Sequence, residues 1–392
     1  MGARLRVLDI VNTDHAALHF LMYRANWINA HTEFENDIVC SNGPHLSRVQ
    51  LQGGTVTAMD IPRGLAPAGI ARLLRRLTRH MRANRYTIVH THNSVTGAVG
   101  RMAARLARVP LVIHTTHGFH YHESMGALRR WPYVTAERVL ARLCDVLLFQ
   151  NREEFEDLRR LDLRPRRGGY FVGNGIDLAK FPRRAGLPEN PRPVILCVAR
   201  LEPVKNQEML FRALEILRAT ADAEVWLVGD GPYQARYEAD LRQRGLTDRV
   251  RFLGYRYDIP ELTAAADVCV LTSIKEGIPR SLVQAMAVGV PVVATNVKGT
   301  REAVVDGESG FLVPLDDAAA LAARLGQLLA SAELRREMGG RASAWAREQF
   351  DERQITKRLV DIYRRALKEQ GIAAPRYTAA TAEMTWAEHR PA

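Results

Sequence analysis

Residues able to hold a charged, hydroxyl-bearing ligand recur in the second half of the chain, each just beyond an apolar run. Arg200 and Lys205 follow Val194–Ala199 in VARLEPVKNQ. Gly229 and Gly231 form a Gly-Asp-Gly-Pro turn after Glu224–Val228, and Asp258 and Ile259 come after Val250–Leu253 and Gly254. Ser273, Glu276, Gly277, Ile278 and Pro279 follow Val268–Thr272 and lead into a helix carrying Gln284. Two cations can neutralise a diphosphate, and a helix N-terminus adds amide donors for an anion. Glu276 and Gln284, eight residues apart, can both reach sugar hydroxyls. Read singly, Arg200 could be a surface ion pair and Gly229–Pro232 an ordinary turn. Four consecutive strand ends with complementary groups point instead to one ligand crevice.

The elements that must position these groups alternate. In the first half, Arg4–Val11, Asp37–Cys40, Thr55–Ala58, Thr87–His90, Pro110–His114, Cys144–Gln150 and Tyr170–Val172 read as strands, with helical stretches through Asn29, over Ala68–Arg85 and over Thr96–Arg108. After a Pro- and Arg-rich linker, Pro182–Pro193, the pattern restarts and ends in a helical stretch, Ala319–Leu367, broken by Gly339-Gly340 and Phe350. Strands alternating with helices imply βαβ units and a mostly parallel sheet. The fold class is therefore α/β, with two Rossmann-like doubly wound domains facing a central crevice, where such sheets bind ligands. The expected division is 1–176 for a first domain and 177–350 for a second. Residues 351–370 should form a helix packing back on the first domain, and 371–392 a loose tail.

Composition narrows the function classes. A chain of 392 residues with 47% hydrophobic and 25% charged content is globular and holds about two domains at roughly 100–200 residues each. No apolar run approaches the ~18 residues of a membrane span, and the N-terminus shows no signal-peptide pattern. Four scattered cysteines, at 40, 144, 197 and 269, meet no metal-ligand spacing and point to a reducing, cytoplasmic compartment. The net charge of +12 is uneven: residues 1–170 carry +10 and the rest +2. Nucleic acid, an anionic membrane face and a phosphorylated substrate are the candidate partners. In Ala68–Arg85, Ile70, Leu73, Leu74, Leu77 and Met81 share one helical face, and Arg72, Arg75, Arg76, Arg79 and Arg82 fill the other. That is either a solvated surface helix or one that leans on anionic headgroups.

The segment EGIPRSLVQAMAVGVPVVATNVKGTREAVVDGESGFLVP (Glu276–Pro314) resembles the signature of retaining glycosyltransferase family 4, of the GT-B fold. NGIDLAKF (Asn174–Phe181), VARLEPVKNQ (Val198–Gln207), LVGDGP (Leu227–Pro232) and FLGYRYDI (Phe252–Ile259) resemble it too, in order and spacing over residues 86–365. VHTHNSVTGAVGRMAARLARVPLVIHTTHGFHYH is similar to a bacterial branch that builds capsule and exopolysaccharide repeats.

The resemblance implies a catalytic set of His117, Arg200, Lys205 and Glu276. Arg200 and Lys205 would bind the donor diphosphate, Glu276 the donor sugar hydroxyls, and His117, in TTHG, would lie beside that sugar. Gly277 and the amides after it would lie near the sugar and phosphates, and Asp258 and Ile259 where the nucleotide base is held. His90 and His92 fit either acceptor-side polar groups or packing. The family's second glutamate is Gln284 here, which keeps hydrogen bonding to the ribose but loses a charge-assisted bond, about 1 kcal/mol. The first loop, Asn12-Thr13-Asp14-His15, lacks the adjacent glycines of many relatives, so acceptor specificity does not carry over.

The implied activity is retaining transfer of a hexose or N-acetylhexosamine from a nucleotide-sugar, UDP-linked by the branch resemblance, to a lipid-linked or polysaccharide-precursor hydroxyl. With no D-x-D motif in the chain, no metal cofactor is expected. The alternatives are a soluble small-molecule acceptor, a non-catalytic sugar-nucleotide binder and a nucleotide-sugar epimerase. A nucleic-acid partner is disfavoured, because basic–aromatic interleaving is missing. With the acceptor assigned to the +10 half, the basic helix leans towards membrane contact, a peripheral location on the inner face of the cell membrane.

Overall fold

The computed structural model describes residues 4–62, 66–119, 121, 125–188 and 190–373. Residues 374–392, most of the expected loose tail, lie outside the described residues. The first sheet has seven parallel strands: β1 (Leu5–Ile10), β2 (Phe34–Ser41), β3 (Val56–Met59), β4 (Ile88–His92), β5 (Leu111–Thr116), β6 (Val146–Phe149) and β7 (Gly168–Phe171). Their spatial order is β3-β2-β1-β4-β5-β6-β7, so the order reverses between β1 and β4. The helices of this half are α1 (Asp14–Ala16), α2 (Met22–His31), α3 (Pro67–Asn84), α4 (Ser94–Leu106), α5 (Ala127–Ala141) and α6 (Arg152–Arg160). A π-helical turn, Ala17–Leu21, joins α1 to α2.

The second sheet has six parallel strands: β8 (Val194–Val198), β9 (Glu224–Val228), β10 (Val250–Gly254), β11 (Val268–Leu271), β12 (Val292–Thr295) and β13 (Gly310–Val313). The order is β10-β9-β8-β11-β12-β13, with the reversal between β8 and β11. Around it lie α7 (Gln207–Leu217), α8 (Gln234–Arg244), α9 (Ile259–Ala264), α10 (Arg280–Val288), α11 (Thr300–Ala303), α12 (Ala318–Ala330) and α13 (Ala332–Gln349). Strands covered on both faces need continuous apolar sequence, which is why VILCV and VCVL are so legible; each is buried through at least four residues. α5, α6 and β13 are additions to the sequence reading.

The helical stretch near the C-terminus breaks at Phe350 as expected, but not at Gly339-Gly340. Gly339-Gly340 lies inside α13 without interrupting it. The break is at Ser331, whose side chain accepts from Leu334 N and caps α13, and at Phe350–Asp351, where Asp351 accepts from Arg353 N. The glycine serves packing instead: a Cβ on Gly339 would collide with the Gly289 carbonyl that ends α10.

The last helix, α14 (Glu352–Lys368), leaves the second half and docks on the first sheet. Ile355, Leu359, Tyr363 and Leu367 pack with Val7, Ile28, Ile88, Ile113 and Leu148. Each such buried side chain contributes about 1.5–3 kcal/mol. Arg364 clamps Glu33 with both Nε and a terminal nitrogen, at 2.7 and 2.8 Å. One helix therefore fastens the two halves together. We expect Gly339→Ala to lower stability by about 1–3 kcal/mol through overpacking, read as a lower midpoint in urea unfolding. An unchanged midpoint would show that the α10–α13 approach is looser than described.

Candidate active site

The carboxyl ends of both sheets face one crevice, and the strand order places β8, β9 and β11 at its donor side. Beyond β8, Arg200 is 63% exposed and pairs with Glu202 at 2.7 Å. Lys205 ends the turn Pro203–Lys205 and donates to Glu276 Oε1 at 2.6 Å. Thr272 Oγ1 donates to the carbonyls of Lys205 and Asn206 at 3.0 and 2.9 Å, which ties this turn to the end of β11. The structure thus brings Lys205 and Glu276 together and leaves Arg200 at the rim on a surface partner.

Gly229 and Gly231 have a backbone reason. A Cβ on either would strike the carbonyl of Ala199 or of Leu201, and Gly229 has φ +134°. Only glycine lets the β9 turn lie against the Arg200 loop. Ser273 is fully buried, and its hydroxyl has no hydrogen-bond partner among the described residues, an orphaned group that invites a ligand or water. Pro279 precedes α10, and its carbonyl accepts from the amides of Leu282 and Val283 at 3.1 and 3.2 Å. Ile278 is buried, and its carbonyl accepts from Asn174 Nδ2 at 3.4 Å. Gln284 is partly exposed on α10. Asp258 is held by Arg256 at 2.8 and 2.5 Å, and Ile259 starts α9 and packs on the core.

Across the crevice the turn His117–Gly118 meets Glu276–Gly277 backbone to backbone: a Cβ on Gly277 would stand 3.1 Å from the His117 carbonyl carbon and oxygen. Asn151 Nδ2 donates to Gly277 O at 3.2 Å and strengthens the seam. The His117 ring is set from behind by a buried chain. Asp9 Oδ1 lies 2.8 Å from His92 Nε2 and accepts from Arg24 at 2.9 Å, while Asn36 Nδ2 donates to Asp9 Oδ2 at 2.8 Å. Burial opposes ionisation of Asp9, yet Arg24 and His92 hold its pKa well below the usual carboxylate range. An ionised carboxylate only accepts, so the 2.8 Å contact calls for an N–H on His92 Nε2, while the Arg24 guanidinium, also a donor, lies 3.1 Å from the same nitrogen. His117 Nε2 lies 2.9 Å from His92 Nδ1, which links the two rings. Burial, with His92 and Arg24 nearby, keeps His117 neutral.

Of the two roles left open for His90 and His92, this arrangement fits packing. Both are fully buried, and His90 contacts the Tyr363 hydroxyl of α14 at 2.7 Å and Thr115 at 2.6 Å. They belong to the interior of the first domain and are not acceptor-side surface groups. Asp9, His90 and His92 stand close enough to share a cation, but the Arg24 guanidinium already neutralises Asp9 there. The sequence reading missed Asp9 and Arg24; the one signal was a charged residue inside the apolar run LRVLDI.

A second bridge closes the other end of the crevice. The His19 Nε2 and His45 Nδ1 atoms lie 2.7 and 2.8 Å from the hydroxyls of Tyr255 and Tyr257, and the Arg48 guanidinium stands 3.8 Å over the Tyr257 ring. These partners lie more than two hundred residues apart in the chain, so spacing could not reveal them. The turn His117–Phe119 lines two cavities. One, of about 1140 Å³, runs into the first domain past Asn12, Asn93 and His117 to Glu137, with Arg200 at its donor edge. The other, of about 540 Å³, lies along Lys275, Glu276 and Lys298.

Two doubly wound sheets facing a crevice, with a Lys–Glu pair at the strand ends, define the GT-B class. Residues 180–345 match the family "Glycosyl transferases group 1", and residues 25–171 match "Glycosyl transferase 4-like domain". An Escherichia coli protein, UDP-Gal:alpha-D-GlcNAc-diphosphoundecaprenol alpha-1,3-galactosyltransferase, is 30% identical over 309 residues, 73% of this chain and 77% of that one. A D-inositol 3-phosphate glycosyltransferase of Salinispora tropica is 34% identical over 320 residues, 73% of this chain and 65% of its own. Among solved structures, sucrose-phosphate synthase from Thermosynechococcus elongatus superposes with a TM-score of 0.81 at 21% identity, covering 93% of this chain and 100% of that one. The chain belongs to the GT-B glycosyltransferases of the family 4 type and is a glycosyltransferase.

Glu154, beside the seam, supplies a pH test. It accepts from Phe119 N at 3.0 Å, and burial pushes its carboxyl up to about 7. A raised acid stabilises the fold fully below its ordinary value near 4.5 and progressively less as pH rises through 7. Stability should therefore fall by up to about 3 kcal/mol between pH 4.5 and 8 on this account. Glu154→Gln should remove that decline in unfolding titrations; an unaltered pH dependence in the variant would refute it.

Proposed function

We propose that the protein transfers a hexose or N-acetylhexosamine, with retention, from a UDP-sugar to a hydroxyl of a lipid-linked or polysaccharide-precursor acceptor. The carrying observation is the Lys205–Glu276 pair at the crevice, 2.6 Å apart and opposite His117–Gly118. When the glycosidic bond of the donor breaks, charge builds on the departing diphosphate. Lys205, Arg200 and the first amides of α10 are the groups able to meet it, and preorganised donors do so without reorganisation. In this reading Glu276 accepts from donor sugar hydroxyls and Gln284 bonds the ribose. Asp258 and Ile259 would border the base. No D-x-D motif supplies a metal bridge, so we assign the charge to these side chains. The UDP-Gal donor and the diphosphoundecaprenol-linked acceptor named for the Escherichia coli relative support the donor and acceptor chosen.

The reading extends to an anionic membrane face. Leu73, Leu77 and Met81 of α3 are buried in the first domain's core, leaving Arg72, Arg75, Arg76 and Arg79 exposed. Arg82 donates to Leu106 O at 2.7 Å, and Arg101 and Arg105 of α4 donate to Leu140 O and Leu143 O, so α3, α4 and α5 form one face. Leu128, Trp131 and Val139 of α5 are 91, 66 and 57% exposed and supply the apolar anchors that α3 lacks.

Lys205→Ala should lower kcat by about 10²–10³-fold, the usual cost of one charge-stabilising donor, with the melting temperature nearly unchanged. A rate within fivefold of wild type, followed by release of UDP from the sugar nucleotide, would remove Lys205 from this role. In vesicle flotation, binding should need anionic lipid and weaken by about 1 kcal/mol for each of Arg75, Arg76 and Arg79 made neutral. Equal binding to neutral vesicles would contradict the membrane reading.

A further inference from the structure

The larger cavity differs in charge from the donor side. Its polar lining is made of amides and hydroxyls such as Asn42, Asn93 and Thr96, together with the carboxylates of Asp60 and Glu137. Among its described lining residues the one permanent cation is Arg200, which comes from the other domain and pairs with Glu202. Its two histidines, His114 and His117, are held neutral by burial. Glu137 projects from α5 into the wall, partly buried and without a hydrogen-bond partner among the described residues. Burial pushes its carboxyl above the usual range, against the pull of Arg101 behind it. Arg101 itself is fully buried, and it donates to Gly97 O and Leu140 O at 3.0 and 3.1 Å.

We propose that this cavity takes the acceptor as an uncharged, hydroxyl-rich sugar, free of phosphate within the cavity, with Glu137 accepting one of its hydroxyls. A phosphomonoester carries about −1.5 to −2 charges and would lose water beside two carboxylates, where the one cation among the described lining residues, Arg200, is already paired with Glu202. A neutral sugar meets the opposite situation: its hydroxyls can donate to Glu137 and Asp60 and bond the amides in both directions. The same chain places cations at the strand ends assigned to the donor diphosphate and none on the first-domain wall described here. A diphosphate linker on a lipid-borne acceptor must therefore lie outside the cavity. This inference rests on the glycosyl-transfer reading for the word acceptor, but the binding preference itself is measurable without donor.

The test uses the full chain and calorimetric titration with methyl glycosides of glucose, galactose, N-acetylglucosamine and N-acetylgalactosamine, each beside its 6-phosphate. The best uncharged glycoside should bind at least tenfold more tightly than its phosphate. Glu137→Gln should weaken that glycoside about tenfold, and Glu137→Lys should reverse the preference. UDP-induced thermal stabilisation, kept in both variants, shows that they are folded. A wild-type preference for the sugar phosphate overturns the proposal, as does Glu137→Gln binding within twofold of wild type or no saturable binding of any glycoside. Failure of UDP to stabilise the wild type, with the glycoside preference intact, would instead count against the transfer reading alone.

Discussion

A carboxylate removed from water sits behind the crevice and orders what surrounds it. Asp9 is fully buried and ionised, and its oxygens are shared among Arg24 of α2, Asn36 of β2 and His92 of β4. An unpaired charge there would cost several kcal/mol, so these three elements hold one mutual arrangement or none. The hydrogen-bonded chain that begins at Asp9 ends on His117, whose turn forms half of the seam between the domains. His90, in the same hub, reaches Tyr363 and so includes the returning helix α14.

The division of labour follows from that seam. On its second-domain side stand Lys205, Arg200 and Glu276, set at strand ends by glycine turns that admit no side chain. On the first-domain side the crevice deepens into a cavity whose described wall is amide, hydroxyl and carboxylate. Charge is thus separated by domain at short range, in contrast to the sequence totals, where the first 170 residues hold +10. That excess lies on outward faces such as the arginines of α3.

The crevice residues of the second domain were legible because parallel strands buried on both faces write themselves as apolar runs, and polar residues at their ends stand out. Arg200, Lys205, Gly229 and Glu276 were found that way, and the family resemblance gave them roles. Gly339-Gly340 misled as a helix break, because the contact that requires glycine there, the Gly289 carbonyl, lies fifty residues away in sequence. The Asp9 hub was illegible for the same reason: His92 and Tyr363 lie far along the chain, and histidines at a strand end look equally suited to a surface. Glu137 carried no signal at all, since one acidic residue in an arginine-rich helix reads as solvated.

The central claim is transfer with retention across this crevice, and product stereochemistry tests it most directly. The full chain, incubated with a UDP-α-sugar and a hydroxyl acceptor, should yield a glycoside whose anomeric proton shows the small coupling of an α-linkage, with free UDP released in equal amount. A β-linked product would contradict the account.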